Sequence, residues 1–122
     1  MEAVTGDFTE DGRPRVPIRI NGIAMRATID TGFNGELALP VDLAERLGLT
    51  PITLIPVELA DGSWRLMSIS DGRIRIGDME FLVEIIIGAS EPSIGMGLLR
   101  HFKVVLDARA GLVRLEPHGR TS

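Results

Sequence analysis

The 122-residue chain contains no cysteine, only two histidines and a single tryptophan. Without cysteine it cannot form a disulfide, a thiolate zinc site or a cysteine nucleophile. The two histidines, His101 and His118, are too far apart in sequence to act as a local pair of metal ligands. We therefore expect neither a metal nor another cofactor, and a serine–histidine–aspartate triad is disfavoured.

The chain also lacks a long apolar run and an excess of positive charge. The nearest candidate for a membrane span, residues 81–87, is interrupted by Glu84 and is far shorter than the roughly 18 residues that a bilayer requires. Residues 1–7 show neither the basic start nor the apolar core of a signal peptide. The 13 basic and 17 acidic residues give a net charge of −4, and the arginines are scattered, which argues against nucleic-acid binding. We expect a cytoplasmic protein that binds neither membrane nor nucleic acid.

Apolar and polar residues alternate over most of the chain, and turn residues recur at short intervals. Residues 16–20 alternate and are followed by Asn21 and Gly22, a pair that favours a two-residue hairpin. A second hairpin is predicted around residues 61–62 and a third around residues 77–78. This pattern of short strands and tight turns predicts an all-β, or mainly β, fold.

The length suits one domain with a single core. We assign that domain to residues 15–116 and expect the polar segments 1–14 and 117–122 to be flexible unless a partner orders them. One helix is predicted over residues 40–47, with Gly48 as its terminating residue. The pattern also predicts separate strands over residues 64–70 and 73–76, a loop over residues 88–93, and one helical turn within residues 97–102.

The tripeptide Asp30-Thr31-Gly32 follows the apolar strand residues 27–29 and enters a glycine-containing turn. A turn of this composition can serve simply to end a strand, because aspartate accepts hydrogen bonds from nearby backbone N–H groups. Its context adds to the signal. A segment rich in apolar residues and glycine, residues 93–99, follows about sixty residues later, and a predicted hairpin lies between the two.

This order of motifs resembles the retropepsin-like aspartic proteases, and the resemblance covers roughly Ile18 to Glu116, which is nearly the whole chain. The resemblance implies an acid-protease barrel with a flap hairpin, a ψ-shaped loop and one or two short helices. It implies that Asp30 is the catalytic residue and that the active-site turn continues through Thr31, Gly32 and Phe33, as in prokaryotic relatives with an Asp-Thr-Gly-Phe turn. The remaining implied positions are the flap and substrate-binding residues Asp61, Gly62, Ser63 and Trp64, and the ψ-loop residues Ile94 and Gly95.

The chemistry of such an enzyme requires two carboxylates close enough to share one proton. Because this chain has one Asp-Thr-Gly and no room for a second lobe, a two-fold homodimer must bring two copies of Asp30 together. The resemblance further implies that Thr31 hydrogen-bonds across the dimer and that the Gly32 N–H donates to the carboxylates. The predicted function is an endopeptidase that acts on a peptide or protein substrate in an extended conformation.

Two other interpretations remain open at this point. The chain could be a non-catalytic, dimeric peptide-binding or interaction module with the same fold, or an unrelated small β-barrel in which the Asp-Thr-Gly is incidental. Asp107 is interpreted as a turn residue rather than a second catalytic acid, and Glu84 as a solvent-facing residue of a strand. For Trp64, a place in the core and a place over the substrate are equally compatible with the sequence.

Overall fold

A computed structural model describes residues 2–118. The elements, in chain order, are β1 (Val4–Phe8), β2 (Pro14–Ile20), β3 (Ile23–Ile29), β4 (Leu37–Leu39), α1 (Val41–Arg46), β5 (Thr53–Glu58), β6 (Trp64–Ile76), β7 (Met79–Ile87), β8 (Ser93–Ile94), α2 (Met96–Leu99), β9 (Phe102–Asp107) and β10 (Leu112–Pro117). The predicted mainly β class with short helices is confirmed. No helix within the described residues is long and apolar enough to cross a membrane.

Six strands close into a barrel. They follow the order β6, β7, β4, β8, β3 and β2, and β2 pairs back with β6 through Arg19 and Ile20. Three further strands, β1, β10 and β9, extend the sheet from β2, while β5 extends it from β6. Among the described strands β5 pairs with β6 alone, so the β5–β6 hairpin projects from the edge of the barrel.

The barrel interior is filled by every second residue of its strands, as the period-two pattern predicts. Ile18 and Ile20 of β2, Ile74 and Ile76 of β6 and Ile85 of β7 are all buried. The two helices close the barrel with buried residues of their own, which are Ala44 in α1 and Leu98 and Leu99 in α2.

The local predictions for turns and for the helix are confirmed. Asn21 and Gly22 both have positive φ, at 50° and 81°, as a two-residue turn matching the strand twist requires. Gly77 has a φ of 62° in the turn between β6 and β7. Helix α1 lies within the predicted range, with Leu47 as its C-cap and Gly48 at a φ of 71° directly after it.

The predicted break between residues 70 and 73 is wrong, because β6 runs unbroken through it. β7 pairs with β6 along its whole length, including the pair Gly72 and Val83. A Cβ atom at Gly72 would lie 2.6 Å from Cδ1 of Ile85. The glycine therefore leaves space for a core side chain and does not end the strand.

The N-terminal segment, expected to be flexible, contains β1. This strand pairs with β10 and β2, and Asp7 forms ion pairs with Arg15 (3.1 Å) and Arg26 (2.7 Å). The pairing of β1 with β10 joins residues more than a hundred positions apart in the chain, and no local sequence pattern shows it. The division of the chain at residue 15 stays a prediction, and residues 119–122 of the expected tail lie outside the described residues.

Candidate active site

Asp30 follows the last residue of β3, at the point where β3 meets β8. β8 lies between β3 and β4: Ile94 pairs in parallel with Ile29 and antiparallel with Leu37. The backbone N–H of Asp30 donates to the Ile94 carbonyl oxygen at 2.9 Å. This inserted strand fixes the position of Asp30. Ser93, expected to end a loop over residues 88–93, is instead the first residue of β8, and Ile94, expected in a ψ-shaped loop, is its second.

The side chain of Asp30 is exposed, and the backbone around it is held by short-range hydrogen bonds. Its Oδ1 accepts from the N–H of Gly32 at 3.0 Å, while its carbonyl oxygen accepts from the N–H of Phe33 at 3.2 Å. Thr31 is also exposed. The turn thus presents a carboxylate and a hydroxyl group at one end of the barrel.

Phe33 joins this turn to helix α2. Its carbonyl oxygen accepts from the N–H of Met96 at 2.7 Å, and its half-buried ring packs against Gly35 and Gly95. A Cβ atom at Gly95 would lie 2.5 Å from Cδ2 of the ring and 2.3 Å from the carbonyl oxygen of Gly35. Glycine at 95 is therefore a packing requirement, and the bulky ring acts as a buttress between turn and helix.

A cavity of about 480 Å³ opens beside Asp30. Its polar lining comes from Asp30, Ser90, Glu91 and Ser93, and its apolar lining from Phe33, Ala38, Val57, Leu59, Ala60, Met67, Ile86 and Ala89. The hairpin supplies one wall and the barrel end supplies the other. A cleft with apolar walls and few converging polar groups is the usual form of a ligand site.

The predicted flap residues lie at the tip of the β5–β6 hairpin. Gly62 has a φ of 85°, and Asp61 Oδ1 accepts from the backbone N–H of Ser63 at 2.9 Å and from its hydroxyl group. The hydrogen bond from the Ser63 hydroxyl, followed by the one from its backbone N–H, lowers the pKa of Asp61. The turn at the tip is thus stabilised by hydrogen bonds between Asp61 and Ser63, both of which belong to it.

Trp64 faces away from the cavity. It pairs with Glu58 at the end of the hairpin, and alternation along β6 places it with Leu66 on the face opposite Met67. Met67 and Val57 line the cavity, whereas Trp64 is 65% exposed and absent from the lining. The structure places Trp64 neither in the core nor over the cavity. It lies on the outer face of the hairpin, exposed to solvent.

Sequence reasoning missed most of the cavity wall. Val57, Leu59 and Met67 could be found by extending the alternation outward from the hairpin tip, since they share one face. Glu91 has no comparable local signal.

Two other interpretations are confirmed: Glu84 is exposed, and Asp107 accepts a hydrogen bond from the N–H of Ala110 within a turn.

Across residues 2–118, no group of three or more histidine, aspartate or glutamate side chains is arranged to hold a metal ion. The ionisable groups that line the cavity are the carboxylates of Asp30 and Glu91. The chemistry that this lining offers is therefore proton transfer and hydrogen bonding by carboxylates.

A closed six-stranded barrel, a strand inserted beside an Asp-Thr-Gly turn and a hairpin over the adjoining cavity define the class of retropepsin-like aspartic proteases. A family model described as aspartyl protease matches residues 16–99, and the chain belongs to this family. A search of curated protein sequences finds no match.

Two solved structures show the same fold. One is a retropepsin-like aspartic protease from Rickettsia conorii, with a TM-score of 0.72 and 22% identity, covering 93% of this chain and 89% of that one. The other is the EIAV protease in complex with the inhibitor HBY-793, with a TM-score of 0.62 and 18% identity, covering 81% of this chain and 98% of that one.

Proposed function

We propose that this protein is an aspartic endopeptidase that acts as a homodimer and hydrolyses peptide bonds with water activated by paired Asp30 carboxylates. The observation that carries the proposal is the exposed carboxylate of Asp30, held in an Asp-Thr-Gly turn at the edge of a cavity beneath a hairpin. Family membership supports the same reaction class.

A homodimer is proposed because one chain contributes a single such carboxylate. Two copies related by a two-fold axis would place the exposed turns against each other, as expected for a self-complementary contact. In that arrangement the hydroxyl group of Thr31 is free to bond across the axis, and the N–H of Gly32 continues to donate to Asp30. The pair would titrate as one unit sharing a proton.

The proposed reaction follows from that shared proton. The ionised Asp30 removes a proton from water, and the water oxygen forms a bond to the carbonyl carbon of the substrate. The protonated Asp30 of the second copy donates a hydrogen bond to the carbonyl oxygen, which takes up the electron pair of the C=O bond. The resulting tetrahedral intermediate collapses, the C–N bond breaks, and the departing nitrogen takes a proton from the carboxyl pair.

The cavity shape supports an extended substrate. A peptide that lies between the hairpin and the barrel end can pair through its backbone and place alternate side chains on the two walls. Apolar side chains would then contact Val57, Met67 and Ile86, which line the cavity.

The test compares the wild-type protein with Asp30→Asn on a diverse peptide library between about pH 3 and pH 7, the range set by carboxylate titration in such pairs. We expect cleavage by the wild type, and a loss on the order of 10³-fold or more in the variant. Asp78→Asn is a matched control, because Asp78 is exposed in the turn after β6 and does not line the cavity.

The oligomeric state is measured in parallel, by sedimentation with and without peptide. A strictly monomeric protein, or equal cleavage by Asp30→Asn and the wild type, contradicts the proposal. Peptide binding by a dimer without any cleavage would instead identify the non-catalytic module.

A further inference from the structure

The cavity contains a second carboxylate that the proposed reaction does not use. Glu91 lines the cavity together with Asp30. Its Oε2 accepts from the hydroxyl group of Thr28 at 3.0 Å, and its Oε1 forms an ion pair with Arg13. The Glu91 side chain is 33% exposed, so it is anchored on one side and open on the other.

The anchoring ties Glu91 to Asp30. Thr28 lies two residues before Asp30 in the chain, and its backbone N–H also donates to the Pro92 carbonyl oxygen at 2.9 Å. The hydroxyl group of Ser93 donates to the carbonyl oxygen of Glu91 at 3.3 Å. Because the two Thr28 bonds join the Glu91 loop to β3, Glu91 is held against the strand that ends at Asp30.

The charge of the lining favours a cation. Within the described part of the chain, the cavity is lined by two carboxylates and by no lysine or arginine. A carboxylate has about four lone-pair sites, of which Arg13 and Thr28 engage one each. Glu91 can therefore accept further hydrogen bonds from a ligand that enters the cavity.

We propose that Glu91 is a specificity-determining residue that selects a substrate with a lysine or arginine side chain near the cleaved bond. The inference rests on the proposed function and names the substrate class of the same site. The methylene stem of such a side chain suits the apolar lining at Ile86 and Ala89, while its charged end reaches Glu91. Charge-assisted hydrogen bonds of this kind are among the stronger ones.

The test measures binding apart from cleavage. Matched extended peptides, identical except for lysine or glutamine at one position in turn, are titrated into the Asp30→Asn protein by calorimetry. At the selective position we expect the lysine peptide to bind about tenfold more tightly, the size expected for one charge-assisted contact. The preference should shrink between about 50 mM and about 500 mM salt, because partly exposed charges are screened.

Two variants, made in the same background, separate recognition from structural support. Glu91→Gln and Arg13→Gln both break the Arg13–Glu91 ion pair, so a purely structural role predicts the same change in both. Recognition predicts opposite changes: Glu91→Gln abolishes the preference for lysine, whereas Arg13→Gln keeps or increases it by freeing Oε1. Glu58→Gln is the control, since Glu58 pairs with Trp64 on the hairpin face that points away from the cavity, and it should leave the preference unchanged.

The outcomes distinguish this inference from the proposed function. Equal affinity for lysine and glutamine peptides, or an equal response of both variants, overturns the role of Glu91 even if Asp30-dependent cleavage is found. A preference for lysine that depends on Glu91, in a protein that cleaves nothing, overturns the protease and keeps the cation site. Absence of any peptide binding contradicts the inference directly.

Discussion

The two walls of the cavity are held in different ways. At the barrel end, the N–H of Asp30 donates to Ile94 of β8, the N–H of Phe33 donates to Asp30, and the N–H of Met96 in α2 donates to Phe33. In the hairpin, β5 has β6 as its single partner strand within residues 2–118, and the outward residues Leu54 and Leu66 are 58% and 65% exposed. One wall is part of the core, and the other is a two-stranded ribbon.

The difference shows what alternation alone can and cannot do. In the barrel, every second residue is buried because opposite strands supply a second layer. The same alternation continues along β6 into the hairpin, but within the described residues no second layer of strands covers that face there. Trp64 and Leu66 therefore point to solvent. Isolated two-stranded ribbons are marginal in water. We therefore expect the hairpin to open at much lower free energy than the barrel unfolds.

The largest expected effect comes from truncating a core residue at the barrel end. Leu98 in α2 is fully buried, so Leu98→Ala should lower the free energy of unfolding by about 2–5 kcal/mol. Leu66→Ala in the hairpin removes the same atoms from an exposed position and should change it by less than about 0.5 kcal/mol. Urea unfolding of the two variants measures both values, and similar losses would contradict the division between the walls.

A second comparison uses glycines. Gly95→Ala places a Cβ against backbone atoms of Phe33 and Gly35, and should cost about 3 kcal/mol through forced displacement of the Asp30 turn. Gly62→Ala at the hairpin tip meets no atom within 4 Å but has a φ of 85°, which costs about 1 kcal/mol. We expect Gly95→Ala to lose more stability than Gly62→Ala. If the Asp30 turn can move to make room for the new Cβ, the order of the two losses reverses. Thermal unfolding of both variants, together with a peptidase assay, decides between the two outcomes.

Features set by neighbouring residues could be predicted from the sequence. The Asn21-Gly22 turn, α1 with Gly48 after it, and the Asp30 turn all depend on local conformational preferences. The strand at Ile94 was not predicted, since its pairing with Ile29 joins segments far apart in the chain; the resemblance to a family implied only a ψ-shaped loop at this position.

The remaining features depend on long-range contacts that no local pattern shows. In the sequence, Gly72 indicates the end of a strand. In the structure it lies within β6, because the side chain of Ile85 occupies the space that a Cβ atom would need. Glu91 is identified as a site residue by its partners Arg13 and Thr28, which lie 78 and 63 residues away in the chain. The strand β1 is defined by its pairing with β10 at the other end of the chain.

A smaller effect is expected where the two walls touch. Met67 of the hairpin reaches towards Gly88, where an added Cβ would lie 2.7 Å from its Cε. Met67→Ala should lower the global free energy of unfolding by less than about 1 kcal/mol, because Met67 lies only partly buried in the cavity wall. Amide exchange in β5 should nevertheless become faster while exchange in β3 does not change.

Uniform acceleration of exchange in both strands would show that hairpin and barrel open together. Val83→Ala is the matched control, since Val83 is buried in the barrel. Val83→Ala should lower the global free energy of unfolding. It should also accelerate amide exchange in β3 and β5 at the amides whose exchange requires global unfolding.

The smallest effect concerns pH and contrasts Asp7 with Asp61. The hydrogen bond from Arg15, supported by the charges of Arg15 and Arg26, lowers the pKa of Asp7 despite partial desolvation. Its folded pKa thus lies below the unfolded value of about 3.9. The ionised form then stabilises β1 at pH values above that unfolded value, and the contribution is lost as the pH falls through the folded pKa. Asp7→Asn should therefore destabilise the protein at about pH 6, and its effect should shrink as the pH falls below about 4 towards the folded pKa.

Asp61 also has a lowered pKa, yet its partner is Ser63, two residues away in the hairpin tip. A bond between residues this close in sequence can also form in the unfolded chain, where it lowers the pKa of Asp61 as it does in the folded protein. Because stability depends on pH only through the difference between the two states, Asp61→Asn should change the pH dependence of global unfolding less than Asp7→Asn, which flattens it below about pH 4. Urea titrations of both variants across this range measure the contrast. If Asp61→Asn flattens the curve as much as Asp7→Asn, the bond between Asp61 and Ser63 forms only in the folded protein, and the hairpin tip has no turn preference of its own.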